Sequence, residues 1–340
     1  MTSSSSIAAI IVAYDDPKGV VRCIDALRQQ SCAPAEIIVV DNHPGHPTAS
    51  EISGEPDITI ITNPFNTGYA GGNALGAAVS TSNYFLFINP DAEACPDLCR
   101  RLADELDLNP MVAVAGAQIL LPDGRCNAGD NPLHITGLSW SGRLKWPCET
   151  GPARDTLNVS GTCLMVRRDV FEKLDGFNIP YFLYCEDTDL SWRTRLLGYR
   201  VRFVPEATVV HNYEFSKGTA KWRYLERNRL LMIFANYEVC TLLALSPVLA
   251  FTEVGLWAAA WRGGWVAEKL RSYQDLVRMI GWLRRQRRRV QNSRVIGDKV
   301  VLGEMTGTLT SSPLMNNTVG SVTSRLYELC RVLLLSSRFG

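Results

Sequence analysis

Short apolar runs, each closing on a polar residue, set the strongest limit on how this chain can fold. Ile7 to Tyr14 is apolar without a break, and Glu36 to Val40 is β-branched and stops at Asp41. Ile58 to Thr62 is a third such run, and Tyr84 to Ile88 a fourth, closing on Asn89-Pro90-Asp91. Unbroken apolarity, rather than alternation, is what a strand buried on both faces requires. Between the runs, Pro17 to Gln30 carries Val20, Ile24 and Leu27 at helical spacing, and Gly71 to Ser80 reads as a helix of small residues. Strand and helix in alternation imply an α/β fold with a mostly parallel sheet flanked by helices. Ligands of such sheets bind beyond the carboxyl ends of the strands. That rule singles out Asp41, Asn66 and Asp91.

From 116 to 235 the pattern loosens. Leu121 to Gly151 is rich in Gly, Pro and Trp and reads as a long loop or hairpin. A strand is expected over Gly161 to Arg167, then an acidic cluster, Glu186 to Asp189, opening a helix that runs through Leu197. Tyr199 to Val204 and Ala207 to Val210 read as two strands, the second ending at His211.

At Tyr237 the composition changes. Val239 to Trp261 is 23 residues with one charge, Glu253, and one proline, Pro247. The length suits a membrane span, but a carboxylate at mid-bilayer is costly, so a bent, re-entrant or interfacial helix fits equally. Lys269 to Arg289 alternates Leu270, Leu276, Val277, Ile280 and Leu283 with arginines, as a basic amphipathic helix on anionic lipid does. A soluble helical domain with an exposed basic face has the same pattern. Arg262 to Arg294 holds ten Lys/Arg against two acids, a local +8 in a chain of net +1, which leaves the remainder mildly acidic. An anionic membrane surface is the partner this favours. The Arg284 to Arg289 run lacks the interleaved aromatics of a nucleic-acid site, so no nucleic acid is expected. The last ~45 residues, with Ser, Thr and Gly runs over Thr306 to Ser312, read as loosely ordered except for a short helix near Ser324 to Leu335. The domains expected are thus 1–235, divided near 115, then 236–295 and 296–340.

Ten cysteines show no Cys-x-x-Cys pair and no zinc spacing, as expected of reduced thiols used as small apolar residues. Asn158-Val159-Ser160 and Asn316-Asn317-Thr318 read as chance sequon matches. The opening Met1-Thr2 and four serines carry no basic region ahead of the apolar run, so a cytosolic catalytic part is expected.

Taken in order, several segments resemble the family 2 glycosyltransferases, the inverting group with the GT-A fold. They are Ile10 to Tyr14, Glu36 to Asn42, Asn66-Thr67-Gly68-Tyr69-Ala70-Gly71-Gly72-Asn73, Phe87 to Asp91, Ser160 to Cys163, Gly176-Phe177, Phe182 to Arg193, Gly198-Tyr199 and Val209 to His211. The branch they look like is that of bacterial rhamnosyltransferase and galactofuranosyltransferase-like enzymes of cell-surface polysaccharide assembly. The resemblance covers 1–235, and the apolar-plus-basic tail looks like the membrane-associated end of that branch.

The resemblance implies a chemistry for each motif. Sugar transfer from a nucleotide diphosphate requires a neutralised leaving group, a deprotonated acceptor hydroxyl and in-line alignment. A hard divalent cation, Mn²⁺ or Mg²⁺, meets the first need. Asp91 matches the last acid of an Asp-x-Asp motif whose first position is here Asn89, and His211 would complete the metal site. Asp187 is the expected base, with Glu186 its rival; helix capping by these acids is the structural alternative. Asp41 would accept from the pyrimidine N3–H, and Ala13 and Tyr14 would line the base pocket, while His43-Pro44 departs from the pattern after Asn42. Asn66, Gly68, Gly72, Asn73 and Asn89 would line the nucleotide-sugar pocket, a structural turn being the alternative for the glycine-rich segment. The expected donor is a dTDP- or UDP-sugar, rhamnose first, and the acceptor a lipid-linked saccharide or polysaccharide at the cytoplasmic face of the membrane. Gln-x-x-Arg-Trp, the mark of processive synthases, is absent, so one sugar per encounter is expected. A nicotinamide enzyme is disfavoured because Asp15 to Gly19 supplies no G-x-G-x-x-G turn. A binding protein that kept the fold and lost catalysis is the other alternative, hinted at by Asn89.

Overall fold

Continuous apolar runs become strands at each expected place in a computed structural model that describes residues 5–212, 218–309 and 317–336. Two units result. The first is built on Met1–Asn131, Arg143–Thr194 and Tyr199–Tyr213, the second on Pro132–Gly142, Arg195–Gly198 and Glu214–Gly340. The division falls earlier than residue 236, and a short segment from the middle of the Leu121 to Gly151 region belongs with the C-terminal helices.

In the first unit, β1 (Ile7–Ala13), α1 (Pro17–Arg28), β2 (Glu36–Asp41), α2 (Pro47–Glu51), β3 (Ile58–Thr62), α3 (Gly68–Val79), β4 (Tyr84–Ile88) and β5 (Ala92–Ala94) come first. Then follow α4 (Leu98–Leu108), β6 (Val112–Leu120), β7 (Cys126–Ala128), β8 (Arg154–Asp155), β9 (Cys163–Arg167), α5 (Arg168–Lys173), α6 (Glu186–Leu196) and β10 (Arg200–His211). The main sheet runs β3-β2-β1-β4-β9-β6-β10-β5. The expected parallel pairing holds from β3 to β4. β9 then enters antiparallel to both β4 and β6, so the sheet is mixed.

Local chemistry explains the elements. Asp16 caps α1 by accepting from the Gly19 N–H at 2.9 Å, Pro17 opens the helix, and Val20, Cys23, Ile24 and Leu27 face the core. α3 lies close on β1 because it is made of small residues: a Cβ on Gly72 would stand 2.6 Å from Val12, and one on Gly76 2.5 Å from Ile10. β10 is one long strand where two were expected. Its pairing with β6 shifts register between Val204 and Thr208, and the Gln118 amide donates to the Pro205 carbonyl there at 2.8 Å. Pro205 has no N–H to give, so the break in the sequence pattern is a bulge within one strand.

The second unit is helical: α7 (Lys221–Asn236), α8 (Val239–Arg262), α9 (Val266–Arg278), α10 (Ile280–Ser293), α11 (Asp298–Glu304) and α12 (Asn317–Ser336). The basic segment expected as one helix is two, broken at Met279, and α12 is longer than the helix expected near Ser324 to Leu335. Pro247 sits inside α8, and the Ser246 hydroxyl donates at 2.8 Å to the Leu243 carbonyl that a residue with an N–H at 247 would have satisfied. Trp222 and Trp265 stack on each other, and Trp192 and Trp140 are buried. No disulfide forms among the ten cysteines. Asn158 is buried, which agrees with a chance sequon; Asn316 of the other sequon lies outside the described residues, as do Met1 to Ser4 and the end of the Thr306 to Ser312 run.

Candidate active site

β2 delivers Asp41 to the sheet edge fully buried. Its carboxylate accepts from the His43 N–H at 3.2 Å and from the Ala49 N–H at 2.8 Å. Asp41 therefore closes the turn through His43-Pro44-Gly45 and ties down α2, whatever else it binds. Within that turn, the Gly45 N–H donates to His43 Nδ1 at 3.0 Å. Tyr14, just past β1, keeps 53% of its surface exposed and its ring lies 5.2 Å from that of His43. Ala13 is buried, and its carbonyl accepts from the Asn42 N–H at 2.9 Å.

Asn42 organises the glycine-rich turn. Its amide donates to Asn66 Oδ1 at 3.2 Å and to the Gly68 carbonyl at 3.0 Å, and its oxygen accepts from Asn63 at 2.7 Å. Asn66 Oδ1 also accepts from the Gly68 N–H at 2.8 Å. Gly68 has φ +70°, and a Cβ there would stand 2.1 Å from the Phe182 carbonyl oxygen, so only glycine fits. Asn66 is exposed, whereas Asn73 is buried and donates to the Tyr69 carbonyl one turn earlier at 3.0 Å. Gly72 faces β1, so helix–strand packing accounts for it.

Asp91 and His211 meet although 120 residues separate them: His211 Nε2 and Asp91 Oδ1 are 3.0 Å apart. The sheet brings this about, since β5 follows Asp91 directly and pairs with the end of β10, setting Ala92 opposite His211. His211 is buried and the Asp91 side chain is 30% exposed. One carboxylate and one imidazole suit a divalent cation that takes its other ligands from diphosphate oxygens and water. No group of three or more His, Cys, Asp or Glu residues placed to hold a metal occurs among the described residues.

The three acids of α6 have three separate surroundings. Asp189 is fully buried; it accepts from Arg193 Nε at 2.6 Å and from Asn178 at 2.7 Å, and Arg193 in turn donates to the Leu174 and Gly176 carbonyls at 2.8 and 2.9 Å. That ion pair holds the Gly176-Phe177 turn. Asp187 reaches out of its own helix: Oδ2 accepts from the Gly161 N–H at 2.7 Å, and Oδ1 from the Thr188 N–H at 2.7 Å. Burial pushes its carboxyl above the usual range, against the pull of those two N–H groups. Glu186 is 5% exposed, and its Oε2 has no hydrogen-bond partner among the described residues. Burial, and then the Asp187 charge, push it well above the usual carboxyl range. Helix capping alone does not account for these placements.

Just before α6, three non-glycine residues, Phe182, Tyr184 and Cys185, have positive φ of 64°, 71° and 64°. Such backbone is costly and persists where the surroundings impose it, which is commonest at functional sites. The expected Asn89 stands at the end of β4, where its N–H donates to the Thr162 carbonyl at 2.9 Å. The Asn89-Pro90-Asp91 segment and the Gly161 that holds Asp187 are thus on adjoining strand ends.

Tyr69 and Asn178 were given no role by sequence reasoning. The Tyr69 hydroxyl donates to the Gly161 carbonyl at 2.5 Å, so Gly161, whose N–H holds Asp187, is itself held from α3 through its carbonyl. Burial, then the nearby Glu186 and Asp187 charges, raise the Tyr69 phenol well above its ordinary value. Its place inside the glycine-rich motif was the only signal available.

Residues 8–175 match the family described as glycosyl transferase family 2. The O-antigen biosynthesis protein RfbC of Myxococcus xanthus is 26% identical over 227 residues, covering 62% of this chain; the chain spans only 17% of that protein's length. The N-acetylglucosaminyl-diphospho-decaprenol L-rhamnosyltransferase of Mycobacterium tuberculosis is 26% identical over 241 residues, covering 62% of this chain and 76% of that enzyme. Among solved structures, GalNAc-T7 with UDP, GalNAc and Mn²⁺ superposes with a TM-score of 0.60 at 12% identity, over 70% of this chain and 49% of the other. That likeness shows the fold, which is GT-A.

Proposed function

This chain is a relative of the family 2 glycosyltransferases, carrying their domain over residues 8–175, and we propose that it is an inverting, metal-dependent transferase of single sugars. The donor is a dTDP- or UDP-sugar, rhamnose favoured, and the acceptor a hydroxyl of a lipid-linked saccharide or polysaccharide. The reaction takes place at the cytoplasmic face of a membrane. The M. tuberculosis relative, whose name specifies a decaprenol-linked acceptor, supports that acceptor class.

One observation carries the reading. The N–H of Asn89, two residues before Asp91, bonds to Thr162, and the neighbouring Gly161 N–H bonds to Asp187. Asp91, the proposed metal ligand, and Asp187, the proposed base, stand on adjoining strand ends, an arrangement that supports in-line displacement.

A divalent cation held by Asp91 and His211 would, when bound, offset the charge of the leaving diphosphate. Asp187 takes the proton of the acceptor hydroxyl. The acceptor oxygen forms its bond to the anomeric carbon as the bond from that carbon to the diphosphate oxygen breaks, and the nucleoside diphosphate leaves with the electron pair. Because attack comes from the face opposite the leaving group, the anomeric configuration inverts. Gly161 and Thr188 fix the direction of Asp187 before the acceptor arrives, which lowers the cost of reorganisation. The exposed Tyr14 ring receives the nucleobase, and Asp41 holds the turn beside it. The catalytically weak binding protein remains the second reading, favoured by Asn89 where a second acid would stand. Proton NMR of the product's anomeric centre is the test: inversion relative to the donor is expected, and retention overturns the mechanism.

A further inference from the structure

We propose that α8 lies in the plane of an anionic bilayer surface rather than crossing the bilayer, with α12 adding to the same lipid-facing side. The inference rests on the membrane association proposed above and specifies its geometry.

By length and composition alone α8 could span a membrane. Its surroundings say otherwise. Thr241, Leu245, Val248, Thr252, Leu256 and Ala260 bury one face from the first turn to the last, so the helix is backed by its own unit along its whole length. The other face is bare and apolar: Val239, Leu243, Phe251, Val254 and Trp261 are 44 to 78% exposed.

The backing helices are charged. Near the middle of α8, Glu253 pairs with Arg229 of α7, accepts from Lys269 of α9 at 2.8 Å and from the Tyr273 hydroxyl at 2.5 Å. Glu226 pairs with Lys269 in the same cluster. At the start of α8, the Glu238 N–H donates to Asp298 at 2.7 Å, and Arg294 lies beside both acids. Just beyond its end, Trp265 stacks on Trp222 of α7. A spanning α8 would carry Glu253 into mid-hydrocarbon and take Glu226, Arg229 and Lys269 with it. Ionised groups at that depth are expensive and need a polar cavity. A helix on the surface keeps the cluster on the water side and gives lipid only the apolar face.

α12 is bound to α8 through the Tyr327 and Thr252 hydroxyls, 3.0 Å apart, and carries its own exposed stripe of Leu326, Leu329, Val332 and Leu333. The same unit exposes Arg278, Arg284, Arg285 and Arg288 along α9 and α10, which is the charge an anionic headgroup layer complements.

Depth measurement on the full chain tests this, with vesicles of phosphatidylcholine and phosphatidylglycerol in equal parts. Spin labels are placed at Leu243→Cys and at Val254→Cys, in a background where exposed Cys148 and Cys240 are serine. Equal, shallow depths at both positions are expected, together with vesicle binding that falls on the order of 10–30-fold in Arg284→Gln/Arg285→Gln. Depths that differ by about 16 Å, the rise of eleven helical residues, overturn the in-plane geometry while leaving membrane association intact. Failure to bind vesicles, with the apolar face covered in a dimer of this chain, overturns both. Neither result touches the transfer reaction, which nucleotide release reports separately.

Discussion

The Asp187 carboxylate accepts a 2.7 Å hydrogen bond from the N–H of Gly161, 26 residues earlier in the chain. This bond crosses from the start of α6 to the loop before β9. It gives Asp187 a partner outside its own helix, in addition to the first-turn Thr188 N–H, and sets it beside the strand end that leads to Asp91. Asp187→Asn is expected to lower kcat by about 10²–10⁴-fold with little change in donor KM, because an amide cannot take the acceptor proton. Steady-state kinetics at saturating donor measure it. A donor KM that rises while kcat holds would make Asp187 a binding residue instead.

The same burial that raises Asp187 sets the pH dependence. As the proposed base, Asp187 works only when ionised, so activity should rise with pH through a midpoint above the ordinary carboxyl value of 3.8. A kcat profile locates the midpoint, and a flat profile down to the ordinary carboxyl range would remove Asp187 from proton transfer.

Glu186 makes a separate, thermodynamic prediction. Its folded pKa lies above the ordinary 4.5, so the folded state binds the Glu186 proton more tightly than the unfolded chain does. The stability this contributes is complete below the ordinary value and is lost as pH rises towards the folded one. Glu186→Gln should therefore flatten the fall in Tm with rising pH above the ordinary carboxyl range. Thermal melts across pH measure this, and an unchanged slope would contradict it.

Tyr69 is expected to act as a positioning residue: it holds the carbonyl of Gly161, whose N–H holds Asp187. Tyr69→Phe keeps the half-buried ring and removes the hydroxyl that bonds the Gly161 carbonyl. The expected result is a kcat loss of about 5–30-fold, as befits one lost positioning hydrogen bond of ~1–2 kcal/mol, with a shifted acid limb of the pH profile. A change in stability alone, with kcat and its pH profile intact, would leave Tyr69 a packing residue.

Asp189 should behave unlike its neighbours. Asp189→Asn strands the buried Arg193 guanidinium and should cost about 3–5 kcal/mol of stability, read from denaturant melts. Full stability in that variant would contradict the ion pair's structural role.

How far the sequence carried the account differs from residue to residue. The strand ends were legible because unbroken apolar runs leave few alternatives, and Asp41, Asp91 and His211 stand where those runs stop. The meeting of Asp91 with His211 depends on β5 pairing with β10, which local pattern does not encode. The resemblance favoured Asp187 over Glu186 as base, but the contacts that separate the acids of α6, Arg193 and Asn178 on Asp189 and Gly161 on Asp187, exist only after the chain has folded. Gly72 looked like a ligand-approach glycine; the residue it accommodates is Val12, a neighbour that only the packing of α3 on β1 reveals. Pro205 broke a periodic pattern and made one bulged strand read as two. The charge in the apolar run was visible from the start, but its partners Arg229 and Lys269 come from helices on either side of it.

A metal-supported diphosphate site and Asp187 as base are proposed to act together on a nucleotide sugar. Release of nucleoside diphosphate from a panel of dTDP-, UDP- and GDP-sugars tests it most directly. The full chain is assayed in detergent or vesicles, with and without Mn²⁺ or Mg²⁺, beside Asp91→Ala and Asp187→Asn. The account expects metal-stimulated release from one dTDP- or UDP-sugar, lost in both variants. Release that is indifferent to metal and persists in both variants would contradict it.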